Sequence, residues 1–88
     1  MIDRKVTQTR KDEDGDITAL CNPDATWWSP RLKKDAISDI ESLVYRYYVK
    51  VGNNEVNIHV ANDPNKGKYL RTGKDATTSN NLDDLPDC

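Results

Sequence analysis

The chain has 88 residues, 35% of them hydrophobic and 32% charged, which fits one globular domain and leaves no room for a second core. A formal net charge of -2 excludes a protein carried onto nucleic acid by its overall field, so any anion binding must be local. No apolar run approaches the roughly 20 residues that cross a bilayer, and a chain this short buries little enough surface that its stability is modest or helped by self-association.

Ile2 to Lys11 reads as a polar strand, followed by the turn cluster Asp12-Glu13-Asp14-Gly15-Asp16 and a second strand, Ile17 to Cys21. Asp14-Gly15 is the hairpin signal, because both residues tolerate positive φ. Asn22-Pro23-Asp24 ends the second strand, since proline cannot donate to a ladder. A helix is predicted next, with Ser29 as its hydroxyl cap and Pro30 at the first helical position. Leu32, Ala36, Ile37, Ile40 and Leu43 share its apolar face at spacings of three and four. Arg31, Lys33, Lys34, Ser38, Asp39 and Glu41 form the solvent side, with positive first-turn residues opposing the helix dipole. Of Trp27 and Trp28, just ahead of the cap, one is expected to staple the helix to the sheet and the other to be partly exposed.

From Val44 the period becomes two. Tyr45, Tyr47, Val49 and Val51 alternate with Arg46, Tyr48 and Lys50; Gly52-Asn53-Asn54 turns the chain; Val56, Ile58 and Val60 then alternate with Glu55, Asn57 and His59. Residues 62–67 form a loop, 68–72 a short further strand, and Leu82, Leu85 and Pro86 anchor the tail. The order ββαβββ predicts an α+β fold, a mostly antiparallel sheet of about five strands with one helix packed on one face. One domain spans 1–88, of which 75–88 is an acidic, largely irregular C-terminal segment.

Charge is unevenly placed. Residues 45–74 hold Arg46, Lys50, Lys66, Lys68, Arg71 and Lys74 against Glu55 and Asp63, about +4 by subtraction, whereas 75–88 hold only Asp75, Asp83, Asp84 and Asp87, about -4. Either the basic strands meet an anionic partner or the acidic tail folds back over them. Cys21 and Cys88 are too few for a disulfide scaffold or an all-cysteine zinc site within one chain. Burial as small apolar groups is the leading reading, with a disulfide or half of an intersubunit zinc site as alternatives. Met1 to Lys5 has no hydrophobic run behind it, and Cys88 is not fourth from the end, so neither a secretory signal nor prenylation is expected and the cytoplasm is the expected compartment.

Tyr47-Tyr48-Val49 leading into Val56-Asn57-Ile58-His59-Val60, then Gly67-Lys68-Tyr69-Leu70-Arg71-Thr72, Asp75, Asn81-Leu82 and Leu85-Pro86-Asp87-Cys88, resembles the small prokaryotic family called domain of unknown function 3892. Ile17-Thr18 and Trp28 match its looser first half. The resemblance covers nearly the whole chain and implies the domain limits; it implies no activity.

Familiar chemistries fit poorly. His59 is the single histidine, lies out of phase with Val56, Ile58 and Val60, and has no Ser or Cys signature beside it, so it is expected on the outer face and not in catalysis. Gly67 to Lys74 fails as a phosphate loop in its glycine spacing and in having Asp75 where Ser or Thr should hold magnesium. Asp12, Asp14 and Asp16 alternate as in a calcium loop, but Gly15 is misplaced and no bidentate Glu follows. No motif calls for a cofactor or a metal.

The informative feature is the sheet face away from the helix. With Tyr45, Tyr47, Val49, Val56, Ile58, Val60 and Leu70 inward, Arg46, Tyr48, Lys50, Asn57, His59, Tyr69 and Arg71 point outward together. Flat aromatic rings among cations suit base stacking and phosphate neutralisation. The expected function is therefore a non-enzymatic binding or regulatory module contacting nucleic acid or an anionic protein. A homodimer using the same face or a strand edge is the alternative, and a small enzyme around His59, Arg71 and Asp75 the least favoured.

Overall fold

The computed structural model describes residues 2–72, 82 and 85–88. Seven strands and one helix follow in the order β1 (Ile2–Lys5), β2 (Gln8–Lys11), β3 (Ile17–Cys21), β4 (Arg31–Leu32), α1 (Lys33–Glu41), β5 (Tyr45–Val51), β6 (Asn54–Asp63) and β7 (Gly67–Thr72). The α+β class holds, with the strands in two sheets in place of one. A four-stranded sheet has the order β1-β5-β6-β7, and a three-stranded sheet the order β2-β3-β4.

The extra sheet arises where the first polar segment changes partner. Val6 is fully buried, its N–H donates to the Tyr48 carbonyl, and the next N–H, of Thr7, donates to the Cys21 carbonyl. The chain therefore leaves β5, along which β1 runs parallel, and joins β3, against which β2 runs antiparallel. The Asp12–Asp16 turn is built as its composition indicates. Gly15 sits at φ +82, and the Asp12 carboxylate accepts the N–H groups of Asp14 and Asp16.

The helix is shorter than its apolar spacing suggests. Arg31 and Leu32 pair with Leu20 and Ala19 of β3, so strand bonding claims the positions expected to start the helix. Ser29 caps nothing: its hydroxyl accepts the Asn22 N–H at 2.8 Å, behind a cis Ser29–Pro30 bond. Leu32 and Leu43 are exposed, and the buried face is Ala36, Ile37 and Asp39, with Ile40 packed at its margin. At the C-terminal end Leu43 adopts φ +59, while its N–H reaches the Ile40 carbonyl and the Val44 N–H reaches that of Asp39, both at 3.1 Å. This is a Schellman closure with leucine at the left-handed position that glycine usually fills.

The β5–β6 hairpin has the expected alternation, with Val49 opposite Val56 and Tyr48 opposite Asn57. Strand β6 extends to Asp63, into the segment read as loop, because β7 pairs along it from Thr72 opposite Ile58 to Gly67 opposite Asp63. Helix α1 packs against strands of both sheets, β5, β6 and β7 of the large one and β3 and β4 of the small one. Between them lie Val6, Ile17, Leu20, Trp28, Ile37, Tyr47, Val49, Ile58, Leu70 and Leu82. Trp28 is inside and Trp27 is 81% exposed, the division expected of adjacent residues. Of the C-terminal segment expected to be irregular, 75–81 and 83–84 lie outside the described residues, as do Gly73 and Lys74 of the rejected phosphate loop.

Candidate functional site

Register places the outward side chains of the large sheet in rows. Lys5, Tyr48 and Asn57 lie across β1, β5 and β6; His59 on β6 faces Arg71 on β7; Tyr69 faces Ala61. Strands spaced about 4.8 Å apart, with about 3.4 Å per residue, put Tyr48, His59 and Tyr69 on one diagonal with steps of about 8 Å. His59 is exposed, and the two tyrosines are partly buried. All seven residues singled out from the sequence share this face.

They are not equally available. Arg46 is bound to its own sheet: Nε and Nη2 donate to the two carboxylate oxygens of Asp3 at 2.9 and 3.0 Å, Nη2 also to Glu55 at 3.0 Å, and Nη1 to Asn57 Oδ1 at 2.7 Å. Its guanidinium carbon lies 4.5 Å from the centre of the Tyr48 ring. Hydrogen bonds to Asp3 and Glu55 hold the Arg46 proton more tightly than usual, and the same bond from Arg46 lowers the Asp3 carboxyl. Arg46 therefore braces Tyr48. Arg71 Nε donates to the Thr72 carbonyl at 3.2 Å. Lys5 and Lys50 make no ion pair among the described residues and stand at either side of Tyr48. Lys5 was hidden in the sequence because a short polar first strand gives no hint that it lies beside Tyr48.

Beneath the face is a polar cluster that includes Arg31 and Asp39, which helical spacing assigns to solvent. Arg4 faces inward opposite Tyr47, with its guanidinium carbon 3.5 Å from the Tyr45 ring centre and 5.6 Å from that of Trp28. Arg4 donates to the Tyr47 hydroxyl at 2.8 Å, and that hydroxyl donates to Asp39 Oδ2 at 2.6 Å. Arg31 closes the cluster with two bonds to Asp39 at 2.9 and 3.0 Å. Burial pushes the Asp39 carboxyl upward, but the bonds from Arg31 and Tyr47 and the Arg4 charge outweigh it and leave the group below its ordinary value. Burial, then the bond to Asp39, raises Tyr47 to about 12. The reading of Asp39 and Arg31 as a solvated helix face is thus corrected. Asp39 lies three residues beyond Ala36, and that spacing was the available signal.

Two other features carry charge without an evident ligand. A cavity of about 500 Å³ opens between the Asp12–Asp16 turn, the β6–β7 turn and the start of α1, where Asp14, Asp16 and Asp63 meet Lys33, Lys66 and Lys68. Lys66 pairs with Asp16 at 3.4 Å and Lys68 with Glu41 at 2.8 Å, so the opposing charges largely cancel. The carboxylates of Asp12, Asp14 and Asp16 come within 4.8 Å of one another on an exposed turn whose backbone already uses Asp12. The cysteines are joined: Cys21 and Cys88 form a disulfide, so the leading reading of two buried thiols is replaced, Cys21 being 3% exposed and Cys88 on the surface.

A family model described as "Protein of unknown function (DUF3892)" matches residues 5–86. The chain belongs to that family. No curated protein and no solved structure matches it. The DUF3892 match spans every strand of both sheets apart from the first three residues of β1, so the outer face, Tyr47, Asp39, Arg31 and Cys21 lie within the matched span, while Arg4 and Cys88 fall just outside it. Among the described residues of this DUF3892 chain, no helix is long and apolar enough to cross a membrane.

Proposed function

We propose that this DUF3892 domain is a non-enzymatic binding module that works inside the cell and whose outer sheet face engages single-stranded nucleic acid. The observation that carries the reading is the Tyr48–His59–Tyr69 diagonal, three flat side chains in equal steps across β5, β6 and β7, with Lys5 and Lys50 beside the first ring. Each ring offers a face to an unstacked base, and the lysines neutralise the intervening phosphates without reading sequence. Arg46, held by Asp3 and Glu55, contributes by fixing Tyr48, which lowers the entropy lost on stacking. Net acidity of the whole chain makes affinity modest and strongly salt-dependent.

Titration of a fluorescein-labelled single-stranded 12-mer at low salt, followed by anisotropy, tests this. Micromolar binding is expected, with loss on raising the salt, weaker binding of the matching duplex, and a further loss of about 1–3 kcal/mol for each of Tyr48→Ala and Tyr69→Ala. Absence of binding at tens of micromolar overturns the reading. A stable dimer in sedimentation that Tyr69→Ala and Lys50→Glu dissolve would assign the same face to a second copy of the chain.

A further inference from the structure

The C-terminal residues lie on the open edge of the small sheet. Strand β2 is its outer strand, and Thr9 pairs in parallel with Asp87: the Thr9 N–H donates to the Pro86 carbonyl and the Cys88 N–H to the Thr9 carbonyl, both at 3.0 Å. Leu85 packs on the core, and Lys11 reaches the Leu85 carbonyl at 3.4 Å and Asp87 at 3.6 Å. Those last contacts are weak holds, one long and the other to a carboxylate that is 83% exposed and screened by water. The covalent hold is the Cys21–Cys88 disulfide, which ties the end of β3 to a residue 67 positions later.

We propose that Cys21–Cys88 is a reversible clasp: oxidised, it fastens residues 86–88 over the β2 edge; reduced, it releases them and uncovers the edge. The argument rests on the division of labour between covalent and non-covalent contacts. The large sheet, α1 and the core formed by Tyr47, Val49, Ile58 and Leu70 do not pass through the disulfide, and Leu82 and Leu85 hold to that core without it, so its loss acts on residues 86–88 and not on the fold. Cys88 is on the surface and within reach of a dithiol, whereas Cys21 is buried. A thiolate of the dithiol attacks Cys88 Sγ, the Cys21–Cys88 bond breaks, and Cys21 leaves as a thiolate and takes up a proton. The second thiol of the reagent, as its thiolate, then attacks the mixed disulfide and frees Cys88, which is protonated in turn. The protein gains two electrons and two protons, and the dithiol becomes a disulfide. A chain with two cysteines, both in one bond at a strand edge, differs from the dense disulfide frameworks that substitute for a core. The uncovered backbone of Thr9 is an unpaired strand edge, the surface through which sheets recruit another strand.

Amide hydrogen exchange on the full chain, oxidised and then reduced with dithiothreitol, tests the clasp. On reduction, exchange at the Thr9 and Cys88 amides is expected to quicken at least tenfold, while amides of β5 and β6 stay within twofold. Cys88→Ser, without any reductant, is expected to reproduce the reduced pattern. If every amide quickens together, the bond is a staple of the whole fold and the proposal falls. If Thr9 stays as protected as before, or if mass spectrometry after air oxidation finds two free thiols, it falls as well.

Discussion

Asp39 offers the sharpest test of how this small domain holds together. Its carboxylate accepts three hydrogen bonds, two from Arg31 and one from Tyr47, with Arg4 at 3.8 Å, and the side chains of Asp39 and Arg4 are 11% and 12% exposed. Asp39→Ala leaves two guanidinium groups facing each other and takes the acceptor from a fully buried hydroxyl. Removing one partner of a buried pair costs about 3–5 kcal/mol; because Arg31 is about a third exposed and partly screened, the low end applies, about 3 kcal/mol. A chain of this length has roughly 4–13 kcal/mol in total, so the loss should lower Tm by more than about 10 °C. Asp39→Asn keeps the shape and one acceptor and should cost about 2 kcal/mol; Tyr47→Phe, which deletes only the bridging hydroxyl, about 1.5 kcal/mol. In the Asp39→Ala background Tyr47→Phe should cost at least about 1 kcal/mol less than alone, since its acceptor is already gone. Urea unfolding followed by tryptophan fluorescence is suited to the cycle, because Trp28 meets Tyr47 edge-on with ring centres 5.7 Å apart. Asp39→Asn within about 0.5 kcal/mol of wild type, or a strictly additive cycle, would refute the view that these groups act as a unit.

The same cluster sets the pH limits of the fold. Burial and the bond to Asp39 push the folded Tyr47 hydroxyl up to about 12 from an ordinary 10.0. Stability is therefore untouched by this group below pH 10 and falls as pH rises toward 12, by about 3 kcal/mol at 1.36 kcal/mol per pH unit, chiefly because the phenolate is buried, and Tyr47→Phe should flatten that alkaline limb in urea titrations. Asp39 is shifted the other way, so its contribution is present above about pH 4 and disappears on further acidification; Asp39→Asn should remove that part of the acid slope. Leu43, 70% exposed at φ +59, holds a position that a β-carbon strains. Leu43→Gly should raise stability by about 0.5–1 kcal/mol, or about 4 °C in calorimetry, and an unchanged or lower Tm would contradict the Schellman geometry.

Where the sequence carries a clean period, structure follows it. The alternation from Tyr45 to Val60 specified which side chains face the core, because a one-residue slip would turn Tyr47, Val49 and Ile58 into water. Gly15, with its positive φ, marked the first hairpin, and the Trp27/Trp28 pair announced that one ring would be inside. These are local preferences, decided by which way a side chain points relative to its neighbours in the chain, and they were enough for the α+β class and for the membership of the outer face. Contacts across the chain were not legible. Ser29 has the chemistry of a cap, yet it serves Asn22 while β3 draws Arg31 and Leu32 into a strand, a choice set by backbone partners distant in sequence. Arg4 and Asp39 are 35 positions apart and individually look solvated. Only when β1 lies along β5 and α1 settles over it does each charge find the other, and an ion is stable indoors only once its partner is in place. Cys21 and Cys88 are the extreme case, since nothing in either residue's surroundings in the sequence says that folding brings their Cα atoms to 6.4 Å.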